Sequence, residues 1–299
     1  MKEFALIAPT ASGKTQLAIT LAKELNGAIL SLDSLCVYRQ INIASAKPTA
    51  AEQAQVRHFG VDVASVEEHF CAADFIRCYR EAKAWCEEAG KTLIITGGSG
   101  FYLNAILTPL APKVPPLAPF SQALSREQLW EKVEQTDPEF AQKFSKNDSF
   151  RLQKWFEIHA FTNQPPSVWL RQNSAPPVAQ KMRIFNILWQ KEALNRRIAQ
   201  RTRQMFEAGL LDEARALFAE FDAACKPLCS IGLKECGEFL RGEINSLDAL
   251  ENLIATHTTQ LAKRQRTFNK KAFSEAVTLE VDEENFDELP KRVVALLRA

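Results

Sequence analysis

The residues Phe4-Ala5-Leu6-Ile7-Ala8-Pro9-Thr10-Ala11-Ser12-Gly13-Lys14-Thr15 decide how this chain is read. Phe4–Ile7 is an apolar run of strand length. Beyond Thr15, apolar side chains recur at Leu17, Ile19, Leu21, Ala22 and Leu25, the spacing of an amphipathic helix, and Asn26-Gly27 predicts its C-cap. Between strand and helix, Ala8–Thr15 matches G-x-x-x-x-G-K-[ST] with alanine for the first glycine. Such a turn cradles phosphate, because consecutive backbone N–H groups and the positive end of the helix face the anion. Ala8, Pro9, Thr10, Ala11, Ser12, Gly13, Lys14 and Thr15 are therefore the candidate phosphate-binding residues. Lys14 brings a point charge to the terminal phosphate, Thr15 a hydroxyl for Mg²⁺, and Gly13 close approach of the backbone. Ala8 fits the first position only with a negative φ.

Outward from this loop, Ala28–Leu32 predicts a second strand leading to Asp33-Ser34. Thr92–Thr96 predicts a third, leading to Gly97-Gly98-Ser99-Gly100, with a helix over Ala72–Ala89 between them. Alternation of this kind predicts a doubly wound parallel sheet, which binds ligands beyond the carboxyl ends of its strands. The loop, Asp33-Ser34 and Gly97–Gly100 should converge there. The expected fold class is α/β: a P-loop NTPase-like parallel sheet flanked by helices, with a small helical insertion domain. Thr108–Pro119, with five prolines, reads as a stiff linker. Helices are expected at Ser125–Val133, Pro138–Phe144 and Ser149–Phe161, before the proline pairs Pro165-Pro166 and Pro176-Pro177. A strand at Ile184–Trp189 resumes the pattern, with helices around Ala193–Ala208, Leu210–Phe221, Gly232–Arg241 and Leu247–Asn269. The expected core is residues 1–111 and 181–299, and the insertion 112–180.

With 299 residues, 46% of them apolar, the chain is long enough for a large core. Its seven cysteines are scattered and form no C-x-x-C pair, which predicts reduced thiols rather than disulfides or a zinc site. Met1-Lys2-Glu3 runs straight into Phe4–Ile7, too short an apolar run for a signal peptide. No later run reaches the ~18 apolar residues of a membrane span. A cytoplasmic, monomeric protein with no membrane partner is expected. The net charge of +1 excludes a uniformly basic coat, but its parts are unlike: residues 1–180 sum to zero, 181–271 to +5 and 272–299 to −4. The basic segment holds Arg197, Arg201, Lys234 and the run 263–271, so a local field for phosphates is expected there.

The loop alone leaves the reaction open. Asp33, ending an apolar strand, could hold Mg²⁺ as in a small-molecule kinase using ATP, or act as a general base beside a nucleophile. It could also cap a helix. A P-loop protein that binds RNA without chemistry is a further possibility.

The later motifs narrow the choice. A-P-T-A-S-G-K-T at 8–15, S-L-D-S-L-C-V-Y-R at 31–39, I-A-S-A-K-P at 43–48 and G-G-S-G-F-Y at 97–102 appear in order. D-P at 137–138, K-N-D-S-F-R-L at 146–152, L-N-R-R-I at 194–198 with Arg201, M-F-E-A-G-L-L-D-E at 205–213, I-G-L-K-E at 231–235 and Q-L-A-K-R-Q at 260–265 follow. Across about residues 4–270 the set resembles the tRNA dimethylallyltransferases, also called tRNA isopentenyltransferases. The resemblance implies transfer of a dimethylallyl group from dimethylallyl diphosphate to N6 of adenosine 37 in tRNA. It implies that the P-loop holds the diphosphate with Mg²⁺ at Thr15, and that Thr15, Asp33 and Arg201 are catalytic, Asp33 as general base.

By the same resemblance Arg197 and Arg201, four apart on one helical face, reach the diphosphate. Asp33, Ser34, Leu35, Cys36, Ser99, Arg151, Lys234, Lys263 and Arg264 touch the tRNA, and the insertion contacts it too. A base of the anticodon loop must leave its stack before its amine can be alkylated. The chain departs from the family pattern at Ala8, at Ser99 for threonine, at Leu35-Cys36 where glutamine often stands, and at Phe268 for tryptophan. The family's D-P-x-x-R has no counterpart in 117–124.

Overall fold

The computed structural model describes residues 3–179 and 181–299; Met1, Lys2 and Gln180, the last residue of the expected insertion, lie outside them. The chain runs β1 (Glu3–Ile7), α1 (Lys14–Glu24), β2 (Gly27–Leu32), α2 (Ala50–Gln55), β3 (His58–Phe59), α3 (Ala72–Glu88), β4 (Thr92–Gly97) and α4 (Gly100–Leu107). It continues through α5 (Arg126–Thr136), α6 (Pro138–Lys143), α7 (Ser149–Thr162) and α8 (Pro166–Asn173). Then come β5 (Arg183–Trp189), α9 (Lys191–Glu207), α10 (Leu210–Glu220), α11 (Leu233–Leu240), α12 (Leu247–Ala272), β6 (Val277–Val281) and α13 (Leu289–Arg298).

The strands form one parallel sheet in the order β3-β2-β4-β1-β5-β6. β2 is buried along its whole length, and β1 and β4 at all but their first residue, as a sheet covered on both faces requires. Leu17 and Leu21 of α1 close on Ile29, Ile94, Phe185 and Ile187, joined by Leu289 and Val293 of α13. At the end of β4, a Cβ on Gly97 would lie 2.4 Å from the Leu32 carbonyl oxygen. Only glycine lets the ends of β2 and β4 come this close, and that brings Asp33 beside the Gly97–Gly100 turn. Among the described residues, no helix is long and apolar enough to cross a membrane.

The chain divides into two compact units, one reaching Ala105 and resuming at Ala179, the other Ile106–Val178. The second starts ahead of residue 112 and holds an antiparallel bridge between Leu110 and Ala175 that pairs its two ends. Leu129, Val133, Phe140, Leu152 and Trp155 make its core. Asp137, 2% exposed, accepts from Trp155 Nε1 at 3.1 Å and Ser167 N–H at 2.9 Å, tying α6, α7 and α8 together.

Two expectations need correction. The residue in the left-handed region after α1 is Asn26 (φ 48°), while Gly27 already belongs to β2; asparagine tolerates that region through its short polar side chain. The expected helices stop before Pro165-Pro166, yet Pro166 opens α8, because the first turn of a helix has no N–H bond for proline to remove.

Candidate functional site

β1 delivers the chain into the loop at Ala8 and α1 carries it away from Lys14. Ala8 keeps a negative φ, as its place requires; the positive values fall on Ala11 (60°) and Gly13 (78°). The loop's acceptors are turned onto the protein. Pro9 O accepts from Lys14 Nζ at 3.1 Å, Ala11 O from Arg197 Nε at 2.9 Å, and Ser12 O from Trp189 Nε1 at 3.0 Å. Among the donors, Thr10 N–H is held by Gln265 Oε1 at 2.9 Å. The N–H groups of Ala11, Ser12, Gly13, Lys14 and Thr15 donate to no described residue. Five consecutive open donors at the head of a helix make an anion cradle.

The cations around it are held in place. Arg197 lies 4.3 Å over the Trp189 ring and 5.7 Å from the Phe286 ring, so its guanidinium is held in place beside the loop. Arg201 Nη1 donates to Thr10 Oγ1 at 3.2 Å. Burial, reinforced by Arg201, pushes the Lys14 ammonium down to about 8, against the opposing pull of Asp33 and Cys36. Burial likewise holds Arg201 below the usual arginine range although Asp33 favours its charge. Two cavities meet here. One, of about 400 Å³, is lined by Gly13, Lys47, Arg197 and Gln200; the other, of about 550 Å³, by Ala18, Ile29, Asp33, Met205, Ile254 and Leu261. Lys14, Thr15 and Arg201 line both.

Asp33 does not cap a helix. Its Oδ1 accepts from the N–H groups of Leu35 (2.8 Å) and Cys36 (3.2 Å), which fixes the carboxylate at the cavity wall and leaves Oδ2 without a partner among the described residues. The Cys36 thiol donates to Ser45 O, and burial, with Asp33 beside it, raises its pKa well above the usual range. The wall at 42–48 is held from outside the motif: Glu213 accepts from three consecutive N–H groups, Asn42, Ile43 and Ala44, at 2.8–2.9 Å. Lys47 Nζ binds Tyr38 O at 2.8 Å and Asp62 Oδ1 at 2.5 Å.

Of the other expected residues, Ser34, Leu35, Cys36, Ser99 and Arg264 line the larger cavity. Lys263 and Lys234 are exposed, and Lys234 is 3.6 Å from Glu238. Arg151 belongs to the second unit, where it pairs with Asp148 and lies over the Phe144 ring. Spacing did not reveal Gln265 as the partner of the loop, 255 residues away, nor Trp189 and Phe286 as the bed of Arg197. Among the described residues, no three His, Cys, Asp or Glu side chains cluster as metal ligands. The Thr15 hydroxyl has no partner among the described residues, and as a hard oxygen donor it suits Mg²⁺. β4, one of the two strands beside β1, ends in Thr96-Gly97 and not in the metal-binding aspartate that a nucleotide kinase has at such a strand end.

A family model described as IPP transferase matches residues 36–272. The tRNA dimethylallyltransferase of Campylobacter concisus is 55% identical over 272 residues, 91% of this chain and 92% of its own. That of Aliarcobacter butzleri is 39% identical over 287 residues, 96% and 98% of the two chains. Among solved structures, the full-length tRNA isopentenylpyrophosphate transferase from Bacillus halodurans matches with TM-score 0.74 at 28% identity, covering 99% of this chain and 95% of its own. A eukaryotic dimethylallyltransferase seen acting on tRNA shares the fold, with TM-score 0.82 at 22% identity over 99% of this chain and 78% of its own. With a phosphate cradle, an aspartate at the next strand end and relatives alike over nearly their whole length, this chain belongs to the tRNA dimethylallyltransferase family of prenyl-transferring enzymes.

Proposed function

We propose that this chain transfers the dimethylallyl group of dimethylallyl diphosphate to N6 of adenosine 37 in tRNA, giving N6-isopentenyladenosine and diphosphate. The observation that carries this reading is the meeting of a cationic cavity and a larger, apolar-walled one at Lys14, Thr15 and Arg201, with Asp33 on the wall of the second. The first suits a diphosphate. The second offers a prenyl chain Ala18, Ile198, Met205 and Leu261, with room for an incoming base.

The N6 lone pair forms a bond to C1 of the dimethylallyl group while the C1–O bond breaks and its electron pair leaves with the diphosphate. The N–H groups of Ala11–Thr15, with Lys14 and Arg201, face the charge that grows on that leaving group; they are already in position and need no reorganisation. Arg197 keeps the cradle in shape. The proton of the alkylated N6 passes to Oδ2 of Asp33. With Mg²⁺ bound, the Thr15 hydroxyl would be the side chain that holds it, and the ion would supply neutralising charge for the leaving group. Ser34, Leu35, Cys36, Ser99 and Arg264 face the extruded base and its neighbours, and Lys263, Lys234 and Arg151 supply contacts to the RNA chain. A tRNA substrate places the protein in the cytoplasm, and a monomer suffices because one chain supplies every group named.

Mass spectrometry of nucleosides from tRNA incubated with the protein, dimethylallyl diphosphate and Mg²⁺ tests this, with N6-isopentenyladenosine as the expected product. Retention of labelled ATP but not of labelled dimethylallyl diphosphate would overturn it.

A further inference from the structure

An apolar side chain exposed singly needs no explanation, but exposed rings that share the lining of a cavity do. Four phenylalanines are exposed among the described residues: Phe150 and Phe161 in the second unit, and Phe101 (59%) and Phe268 (39%) in the unit that bears the cavities. Both of the latter line the larger cavity, as does Arg264. Both rings stand on anchored backbone. Phe101 opens α4 next to Tyr102, which is buried and stacked on Phe75 at 4.9 Å with the rings 9° apart. Phe268 lies against the turn that starts α4: a Cβ on Gly100 would be 2.7 Å from its Cδ1. The neighbouring Asn269 is 2% exposed, which anchors α12 at that point.

Charge surrounds the pair. Lys263, Arg264, Arg266, Lys270 and Lys271 stand on the same helix as Phe268, and none is ion-paired with a described carboxylate. Fixed aromatic faces beside unpaired cations suit a polyanion that carries flat aromatic rings, which is what an unpaired stretch of nucleic acid is.

We propose that Phe101 and Phe268 form a stacking platform for unpaired bases of the tRNA anticodon loop, so that the site captures its RNA by aromatic contact as well as by charge. This rests on the function proposed above. The platform explains how a base lifted out of its stack is stabilised at the rim, since it exchanges base–base stacking for stacking on protein rings. It also separates two properties of binding. Rings contribute affinity that salt does not weaken, while the cations of α12 contribute affinity that salt does weaken.

The test is binding of a labelled anticodon stem-loop RNA across a range of salt, followed by transfer kinetics. Phe101→Ala and Phe268→Ala should each raise Kd roughly tenfold or more with an unchanged salt slope. Arg264→Ala should lower the slope by about one. Phe101→Leu and Phe268→Leu keep apolar area without the ring and should lose most of the same affinity, while Phe268→Trp should keep it. KM for dimethylallyl diphosphate should not move in any ring variant. Stem-loops made abasic at one unpaired position at a time identify the partner, because loss of that base and loss of the rings are non-additive.

Binding of the double alanine variant within twofold of the parent overturns the platform alone, and so do leucine variants that equal the parent. A dimer in the parent that dissociates in the double variant assigns the rings to a second copy of the chain and overturns it as well. A parent protein that binds no stem-loop at all overturns the functional reading first, and the platform with it.

Discussion

Cations are used in two different ways at the two ends of this site. Around the phosphate cradle they are fastened: Lys14 to Pro9 O, Arg197 to Ala11 O and the rings of Trp189 and Phe286, Arg201 to Thr10. Along α12, Lys263, Arg264, Lys270 and Lys271 stand exposed in water with no carboxylate partner among the described residues. Fastened, partly desolvated charges act at short range in a medium of low dielectric, so their value lies in position. Solvated charges act through the ion atmosphere of a polyanion, so their value lies in number. A leaving group needs the first kind, and a large phosphate-rich substrate the second.

That contrast fails if the fastened groups prove replaceable. Asp33→Ala and Lys14→Ala should have the largest effects, each lowering the transfer rate roughly 10²–10⁴-fold, while stem-loop binding by the Lys14 variant stays within a few-fold of the parent. Near-normal transfer by the Asp33 variant would remove the general base from the scheme. Next in size is Arg201→Ala, expected to cost roughly 10²–10³-fold in kcat. Arg197→Ala should cost less, because Arg197 acts through the shape of the loop.

The two ends should also separate by pH. Lys14 is held down to about 8, mainly by burial. The ligand-free cradle therefore carries its ammonium below that pH and loses it above. KM for dimethylallyl diphosphate should be flat on the acid side and climb above pH about 8, by at most about tenfold per unit. Stem-loop affinity should show no such break, and a parallel break in both would tie the two ends together.

Smaller still, Lys263→Ala and Lys270→Ala should each lower the salt slope of stem-loop binding by about one and leave kcat unchanged. The smallest effect is on the bed of the loop. Trp189→Phe keeps a ring under Arg197 but removes the Nε1 donor from Ser12 O, and should lower stability by about 1 kcal/mol, read as a shift in the urea midpoint.

Much of this was legible beforehand wherever the relevant interactions are local. The strand–loop–helix at 4–25 is a matter of periodicity, and Ala8–Thr15 of backbone geometry within eight residues. β6 went unread because its alternation, Val277-Thr278-Leu279-Glu280-Val281, sits in an acidic tail and forms a strand only by pairing with β5. α4 was masked by the glycines before it. Neither absence hid the candidate site, since its residues stand at the ends of β1, β2 and β4.

The sequence by itself determined that 8–15 is a phosphate-loop motif between strand and helix, that an aspartate follows the second strand, and that basic charge collects at 181–271. Those are properties of residues near one another in the chain. Tertiary structure alone decided that β4 lies between β2 and β1, that Gln265 and Arg197 reach the loop from 255 and 186 residues away, and that Glu213 ties down the wall beside Asp33. It also decided that two phenylalanines stand at the rim of the cavity instead of in the core. The physical reason is that hydrogen-bond geometry and van der Waals contact act over a few ångströms of space, and only the completed packing determines which distant residues share them.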